Sequence, residues 1–457
     1  MPSLSNISRR GFLRGTTAGA AGVVSHAWFA PIARAMALDK SPQQRHCILL
    51  WMTGGPSQLD TFDLKPNHAN GGEFKEIATA VPGVRFSEHL PKLAAQSNQL
   101  AIVRGLSTKE GDHNRGTYFV RTGQRPGSPV RYPSVGSALA KELANLSSSS
   151  LPPYVSVNPS LVFGPDGFGP GFLGPEYAPA TVGGADDALL AADVAPENQS
   201  ETAPAAANRF AQLRVDNLAL PADVTAERAA LREKFWNRLQ AQFLATHPVA
   251  SALAHDTVYR RALKTMHSDD AAAFHLSLER DEIREAYGRG TFGQGCLLAR
   301  RLIERGVPFV EVTLGANRIA WDTHQNNFAT VRNLSQELDA GWSMLMRELN
   351  ERGLLERTTI LWIGEFGRTP RINPQAGRDH FPNAWTCVFA GGGIRGGQSF
   401  GETSADGMEI KDGQVAVGDV LATLCAAVGV DPHQENISDL GRPIKLAEGS
   451  PIAQLLD

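Results

Sequence analysis

Acidic and histidine side chains cluster directly after two stretches that are typical of buried strands. The stretches are Phe309–Leu314 and Thr359–Ile363, both mostly apolar and rich in β-branched residues. Imidazole nitrogens and carboxylate oxygens together bind zinc or manganese, and sets richer in oxygen bind magnesium or calcium. The pattern therefore predicts a divalent metal site, and its candidate ligands are Asp322, His324, Glu365, Asp379 and His380.

Polar residues after two earlier apparent strands extend this prediction. Asp60 comes eight residues past the first strand and is a further candidate ligand. The second strand runs into a loop that carries His113, Asn114 and Arg115, which are candidate catalytic residues, although a lone surface histidine is an equal interpretation. Ser57 lies in a Gly-Pro turn, where it is a candidate nucleophile, an oxyanion donor or simply a turn residue.

This cluster has two interpretations, one with a bound metal and one without. A bound metal would polarise a phosphoryl or sulfuryl oxygen and activate a nucleophile. Arg368 or Arg115 would then hold the anionic group of the substrate. Without a metal, Arg368 and Arg378 would pair with the acids in a hydrogen-bonded network.

Alternating strands and helices must bring these residues together. The order strand, polar loop, helix predicts an α/β fold with a doubly wound, mostly parallel sheet flanked by helices. The carboxyl ends of parallel strands meet at one sheet edge, so residues that follow different strands become neighbours there. The predicted strands are Cys47–Met52, Leu100–Arg104, Phe309–Leu314, Thr359–Ile363 and Trp385–Ala390, and the predicted helices are Pro133–Leu146, Asn327–Arg352 and Val417–Val428.

One α/β domain is predicted over residues 41–457, with an excursion and a helical insertion over residues 158–305 inside it. The composition from Leu151 to about Ala207 is rich in Gly, Pro, Ala and Asp, so we expect a surface excursion without regular core elements. Helical periodicity follows over Thr225–His247 and Ala271–Arg305. We expect these two helices to cap one side of the sheet.

The first residues are typical of an export signal. Arg9 and Arg10 open a basic segment, a weakly apolar stretch runs from Thr16 to Pro31, and Ala33-Arg34-Ala35 offers a cleavage site. We therefore predict a twin-arginine signal peptide over residues 1–35, the twin-arginine export machinery as a partner, and a periplasmic or secreted location. Removing this segment, which carries four arginines and no acid, takes the formal charge from −3 to −7.

The composition gives no sign of nucleic-acid binding, of a membrane span or of a cysteine-based site. No basic tract indicates nucleic acid, and no other segment has the length of a stable membrane span. The four cysteines show no CxxC spacing, so we interpret them as small core residues rather than as a disulfide framework or a zinc site.

Ordered motifs along nearly all of the mature chain resemble one exported bacterial family. They are GGPSQLDTFDLKP at 54–66, HNRGTYFVRTG at 113–123, WDTH at 321–324, GEFGRTP at 364–370, GRDH at 377–380 and AGGGIRGG at 390–397. By these motifs the chain resembles domain of unknown function family 1501, within the alkaline phosphatase and sulfatase superfamily.

The resemblance implies an alkaline phosphatase-like domain that holds metals at the carboxyl ends of its strands and hydrolyses phosphate or sulfate esters. It implies that Asp322, His324 and His380 match one metal's ligands, that Glu365 matches an acid of a second metal, and that His113 stands at the relatives' nucleophile position. Three departures are visible. His113 cannot be converted to formylglycine as a sulfatase cysteine or serine can, Phe366 stands where relatives have a histidine, and the first strand's usual aspartate is replaced by Thr53 or Gly54.

The sequence therefore predicts an exported, metal-dependent hydrolase of phosphate or sulfate esters. Its substrate would be an anionic ester, either a polysaccharide or a small molecule. The alternative is a non-catalytic binding or assembly protein that retains the fold, since a fold alone does not confer chemistry.

Overall fold

The computed structural model of the chain describes residues 45–183, 210–215, 218–315 and 320–457. The predicted signal peptide over residues 1–35 lies outside these ranges. Within them, every helix is either too short or too polar to cross a bilayer.

In the described part of the chain, nine strands form one mixed sheet whose strands are mostly parallel. In chain order they are β1 His46–Met52, β2 Leu100–Ser107, β3 Tyr154–Val157, β4 Ala180–Val182, β5 Phe309–Leu314, β6 Thr358–Ile363, β7 Trp385–Gly391, β8 Gln398–Phe400 and β9 Val415–Ala416. The spatial order is β8, β2, β7, β6, β1, β5, β3, β4, with β9 also paired to β2. β7 runs antiparallel to β2 and β6, and the other pairs among these strands are parallel.

Helices cover both faces of the sheet. The described α-helices are α1 Pro91–Ala95, α2 His113–Thr122, α3 Val135–Ala144, α4 Ala226–Thr246, α5 Ala250–Met266, α6 Asp281–Tyr287, α7 Thr291–Glu304, α8 Asn327–Glu351 and α9 Val417–Ala427. Along β1, successive side chains enter two different cores. Ile48, Leu50 and Met52 pack in the core that holds α7 and α8. Leu49 packs in the core that holds α3 and α9. Burial on both faces explains why β1 is apolar throughout.

These observations confirm the α/β, doubly wound, mostly parallel fold that the sequence predicts. The five predicted strands form with end points shifted by at most three residues. The four cysteines, Cys47, Cys296, Cys387 and Cys425, are buried and unpaired, as expected.

The segment that was expected to be an excursion differs from the prediction in three ways. It contains β3 and β4, which add two parallel strands to the sheet next to β5, so the expectation of no core element there is wrong. The predicted helix Ala271–Arg305 is broken into 3-10 turns, α6 and α7, because Tyr287-Gly288 ends α6 before Gly290 opens α7. α4 forms where Thr225–His247 was predicted, but none of its residues is buried, so it does not cap the sheet.

The loops that carry the candidate residues open at one edge of the sheet. β1, β5 and β6 are parallel neighbours. β2 is antiparallel to β7, which is antiparallel to β6, so β2 points the same way as β6. The carboxyl ends of all four strands therefore lie together, as an α/β site requires.

Four small two-stranded sheets complete the described structure. One pairs Gly367–Arg368 with His380–Phe381 and so fixes Arg368 opposite His380. The others pair Glu76–Ala78 with Arg85–Ser87, Glu402–Thr403 with Ile410–Asp412, and Glu435–Ile437 with Pro443–Lys445.

Candidate metal centre

Three histidines direct the same ring nitrogen toward one carboxylate oxygen. The distances from Nε2 to Asp322 Oδ1 are 3.3 Å for His113, 3.1 Å for His324 and 3.4 Å for His380. The Nε2 atoms of His324 and His380 are 3.1 Å apart. The predicted convergence of these residues, which come from three separate parts of the chain, is confirmed.

The other ring nitrogen of each histidine lies against an oxygen acceptor. His113 Nδ1 is 2.7 Å from Glu365 Oε1, and His324 Nδ1 is 2.8 Å from Asp379 Oδ1. His380 Nδ1 is 2.7 Å from the carbonyl oxygen of Gly111. When the ring is neutral, a proton held on Nδ1 by these acceptors leaves Nε2 as the nitrogen that can bind a metal, which is the usual arrangement of metal-binding histidines.

Each cluster residue follows a strand of the sheet or the hairpin beside it. His113 opens α2 shortly after β2, where Asp112 caps the helix by accepting from Arg115 N at 3.1 Å. Asp322 and His324 follow β5, and Glu365 follows β6 directly. His380 is placed by the hairpin that pairs it with Arg368.

Gly54 joins the loop after β1 to the two loops that carry the cluster. Its N–H donates to Glu365 Oε1 at 2.9 Å. Its φ is +101°, and a Cβ atom on it would lie 2.5 Å from Asp322 N. Glycine is needed at this position both for the backbone angle and for the close approach.

Arg368 balances the charge of Asp322 from below the cluster. Its Nη1 lies 2.7 Å from Asp322 Oδ1, and its guanidinium is fully buried, with Nε donating to Gly55 O at 3.0 Å and Nη2 donating to Gly54 O. Burial on its own would raise the pKa of Asp322, but the imidazoles of His113 and His380 and the charge of Arg368 hold that pKa well below its usual range. Burial likewise acts to lower the pKa of His113, and the nearby carboxylates of Asp322 and Glu365 outweigh it and raise that pKa to about 9.

The donor set fits a divalent metal. His113 Nε2 and Asp322 Oδ1 are buried and have no hydrogen-bond partner in the described structure, because the contact from Arg368 to Oδ1 is close without hydrogen-bond geometry. His113, Asp322 and His380 each offer one ligand atom, and these three atoms lie within 4.8 Å of one another. Tetrahedral zinc, with ligands at about 2.0–2.1 Å, places its ligand atoms about 3.3 Å apart. The three separations from Asp322 Oδ1 to the Nε2 atoms and the one between His324 and His380 are 3.1–3.4 Å, which is close to this value.

A family model described as "Protein of unknown function (DUF1501)" matches residues 44–456, which is most of the chain. The chain belongs to the DUF1501 family. Its sequence matches no curated protein.

Solved structures similar to this DUF1501 chain include three at low identity. The PsFucS1 sulfatase from Pseudoalteromonas sp. is 13% identical, with 87% of this chain and 70% of that chain covered and a TM-score of 0.38. The phosphonate monoester hydrolase SpPMH from Silicibacter pomeroyi is 13% identical, with coverage of 91% and 76% and a TM-score of 0.39. A protein in the alkaline phosphatase superfamily from Vibrio parahaemolyticus is 10% identical, with coverage of 91% and 71% and a TM-score of 0.37.

One side of the cluster is open to solvent and the other is closed. The side chains of His324 and Asp379 are 46% and 53% exposed, whereas those of Glu365 and Arg368 are completely buried. Phe163 stacks on the His113 ring at 4.2 Å between centroids and closes that side further. A ligand can therefore approach from the side of His324.

Four predicted site residues of the DUF1501 chain lie elsewhere or are engaged otherwise. Asp60 accepts from Arg378 Nε at 2.7 Å and from Asn327 Nδ2 at 2.8 Å in a buried network, so it does not join the cluster. Arg115 pairs with Glu110 at 2.6 Å. Asn114 Oδ1 accepts from Gly164 N at 2.8 Å, and the Ser57 hydroxyl is buried without a partner in the described residues.

Sequence reasoning missed the distinction between ligands and the residues that orient them. Glu365 and Asp379 were predicted as ligands, but their carboxylates contact the Nδ1 atoms of His113 and His324. The Gly111 carbonyl and the Phe163 ring were not predicted at all. Phe163 lies in the Gly, Pro and Phe-rich stretch after residue 157, and its aromatic content was the available signal.

Proposed function

We propose that this DUF1501 protein is an exported hydrolase of phosphate or sulfate esters that uses a divalent metal, zinc or manganese by its nitrogen-rich ligands. The observation that carries the proposal is the orientation of three Nε2 atoms around Asp322 Oδ1, with each Nδ1 held by an oxygen. Metal-binding histidines are usually held by an oxygen acceptor at the other ring nitrogen. An ion network on a protein surface does not require these acceptors.

His113, Asp322, His324 and His380 would hold the metal. A divalent metal there would supply Lewis acidity toward an ester oxygen and would make water a stronger nucleophile. Glu365 and Asp379 hold a proton on the Nδ1 atoms of His113 and His324 and fix the orientation of the rings, so that Nε2 is the nitrogen that would bind the metal. Arg368 keeps Asp322 ionised from beneath.

Water is the nucleophile in this proposal. In the described structure, no hydroxyl or thiol hydrogen-bonds to the side chains of the four metal-binding residues, and the four cysteines lie buried in the cores. Water would add its oxygen to phosphorus or sulfur, the bond to the alcohol oxygen would break, and the alcohol would leave with one proton. The open side at His324 admits the anionic ester, either a small molecule or a unit of a polysaccharide.

Export through the twin-arginine machinery to the periplasm or beyond is part of the proposal. It is supported by the Arg9-Arg10 start, the apolar stretch and the cleavage site of the sequence. This route carries folded proteins, which agrees with a chain whose four cysteines are unpaired.

A second candidate is a non-catalytic binding or assembly protein with the same fold. One observation favours it: both arginines predicted to hold the substrate anion are engaged. Arg368 is buried against Gly54, Gly55 and Asp322, and Arg115 pairs with Glu110.

Turnover of simple esters separates the two candidates. The full chain, purified after export and loaded in turn with zinc, manganese, magnesium or calcium, is assayed with 4-nitrophenyl phosphate, 4-nitrophenyl sulfate and a sulfated polysaccharide. We expect metal-dependent release of at least one product, and a loss of about 100-fold or more in Asp322→Ala. Full metal loading with no turnover of any ester would favour the second candidate.

A further inference from the structure

A second cavity opens at the same edge of the sheet as the metal centre. Its volume is about 450 Å³, and its lining includes Lys109, Phe119, Arg125, Asn383 and Gln414. Lys109 lies two residues past the carboxyl end of β2, and β9, which pairs in parallel with β2, also ends at this cavity. We call this cavity the β2 pocket.

Two hydrogen bonds join the β2 pocket to the metal centre. Thr108, which also lines the pocket, donates its N–H to Pro382 O at 2.8 Å. Gly111, three residues further along, offers its carbonyl oxygen to His380 Nδ1 at 2.7 Å. Asn383 follows His380 by three residues, so the Cα atoms of these two residues are at most about 11 Å apart. This distance is short enough for one extended ligand to reach both the pocket and the centre.

The β2 pocket carries two positive charges without a counter-charge. Lys109 and Arg125 are exposed, and neither forms an ion pair with an acid of the described chain. The two acids next to Lys109 in sequence are engaged elsewhere, because Glu110 pairs with Arg115 at 2.6 Å and Asp112 caps α2. No acid is among the residues that line the pocket within the described ranges. Unmatched cations in a concave surface attract an anion.

The uncharged part of the lining fits the body of a carbohydrate. Asn383 and Gln414 carry side-chain amides, which both donate and accept hydrogen bonds and so suit hydroxyl groups. Gln414 Nε2 donates to Ser107 Oγ at 2.9 Å, which fixes the direction of its amide. The ring of Phe119 adds an apolar surface for the carbon atoms of a sugar. A sugar that carries sulfate or phosphate matches the charges, the amides and the ring together.

We propose that the β2 pocket binds a second anionic group of the substrate, so that this DUF1501 protein acts on a carbohydrate that carries several sulfate or phosphate groups. One group lies at the metal centre, and another group of the same molecule pairs with Lys109 and Arg125. The guanidinium of Arg125 suits this role because its planar set of donors matches two oxygens of an oxyanion. The inference rests on the proposed function, because it names the substrate class of the same centre.

Binding to the metal-free protein tests the pocket without any turnover. Calorimetry of the chelator-treated full chain uses dextran sulfate and dextran phosphate as separate probes, which distinguishes the two anionic groups. We expect saturable binding of at least one probe and a loss of about 10-fold in affinity when Lys109→Gln and Arg125→Gln are combined.

Arg232→Gln with Lys234→Gln is the matched control for this binding. It removes the same charge from exposed positions of α4, which does not line the β2 pocket, so it should leave the affinity unchanged. Equal losses in the two double variants, or no binding by wild type, would overturn the proposal. Binding of a single-stranded DNA oligonucleotide as tight as that of the dextran probes would overturn the assignment to a carbohydrate.

Steady-state kinetics of the metal-loaded protein tests the link to the centre. In the pocket variant we expect KM for the bound dextran ester to rise about 10-fold with kcat unchanged. The kcat/KM for 4-nitrophenyl sulfate or phosphate should stay at the wild-type value, because these esters carry one anionic group. An equal loss with the small esters would overturn the pocket as a second subsite. If no ester is turned over, the proposed function fails, and the binding comparison alone decides whether the pocket takes an anionic carbohydrate.

Discussion

His113 Nδ1 lies 2.7 Å from Glu365 Oε1, and the same oxygen accepts from Gly54 N at 2.9 Å. Glu365 Oε1 therefore fixes the ring of His113 and ties it to the loop after β1. A buried carboxylate behind a histidine also raises the basicity of the ligand nitrogen.

Replacement of Glu365 by glutamine should weaken metal binding. The amide keeps the size of the side chain but removes the charge behind His113, so we expect a loss of about 10–100-fold in metal affinity. Competition with a fluorescent chelator measures this loss. Asp379→Asn is the control, because Asp379 is half exposed and its effect should be smaller. Equal losses in the two variants would contradict the orienting role of the buried acid.

The stability of the metal-free protein should fall between pH 6.5 and about 9. His113 has a folded pKa of about 9 against its ordinary value of 6.5, so its proton stabilises the fold fully below pH 6.5 and not above pH 9. The loss should be at most about 3 kcal/mol. Metal affinity should rise through the same range, because a ligand histidine must be deprotonated.

Urea unfolding of chelator-treated wild type and His113→Asn at several pH values measures this effect. Other titrating groups are common to both proteins, so the difference in unfolding free energy isolates His113. A difference that does not change with pH would show that His113 gains no proton affinity on folding.

Asp60 and the cluster should respond separately to mutation. Asp60→Asn removes the charge that Arg378 pairs with in a fully buried contact, and we expect a loss of about 3 kcal/mol in the free energy of unfolding. Metal content should stay at the wild-type level, because Asp60 lies outside the cluster. Elemental analysis together with urea unfolding checks both statements, and loss of metal from the folded variant would restore Asp60 as a ligand.

Gly54→Ala should disturb the cluster through the backbone. The new Cβ would meet Asp322 N at 2.5 Å, in addition to the strain of a φ of +101°. Gly83→Ala is the matched control, since Gly83 has a φ of +82° and no atom within 4 Å of its Cβ position. The control should cost about 1 kcal/mol, and Gly54→Ala should cost at least about 2 kcal/mol more and weaken metal binding. Equal thermal shifts would contradict the close approach.

The positions of five strands of the sheet and the convergence of the cluster could be predicted from the sequence. Apolar runs such as Cys47–Met52 are continuous and of strand length, so they can be recognised as buried strands. Parallel strands bring the residues that follow them to one edge, so the meeting of His113, Asp322 and His380 follows from the fold class.

The division of roles among the polar residues could not be predicted. Which carboxylate faces Nδ1 and which faces Nε2 depends on side-chain positions of about an ångström, and spacing along the chain does not encode them. The partner of the buried Glu311 could not be predicted either. Nη1 and Nη2 of Arg121 donate to its two carboxylate oxygens at 2.9 Å each. Helical spacing also predicted α4, but it could not indicate that apolar side chains of this helix, such as Leu231 and Phe235, stay exposed.

Metal content of the purified, exported protein tests the central claim most directly. Elemental analysis compares wild type, Asp322→Ala with His380→Ala in one chain, and Asp60→Asn, after thermal unfolding has shown that each is folded. We predict about one divalent metal per chain in wild type and Asp60→Asn, and none in the double variant. The same metal content in the double variant as in wild type would contradict the site described above.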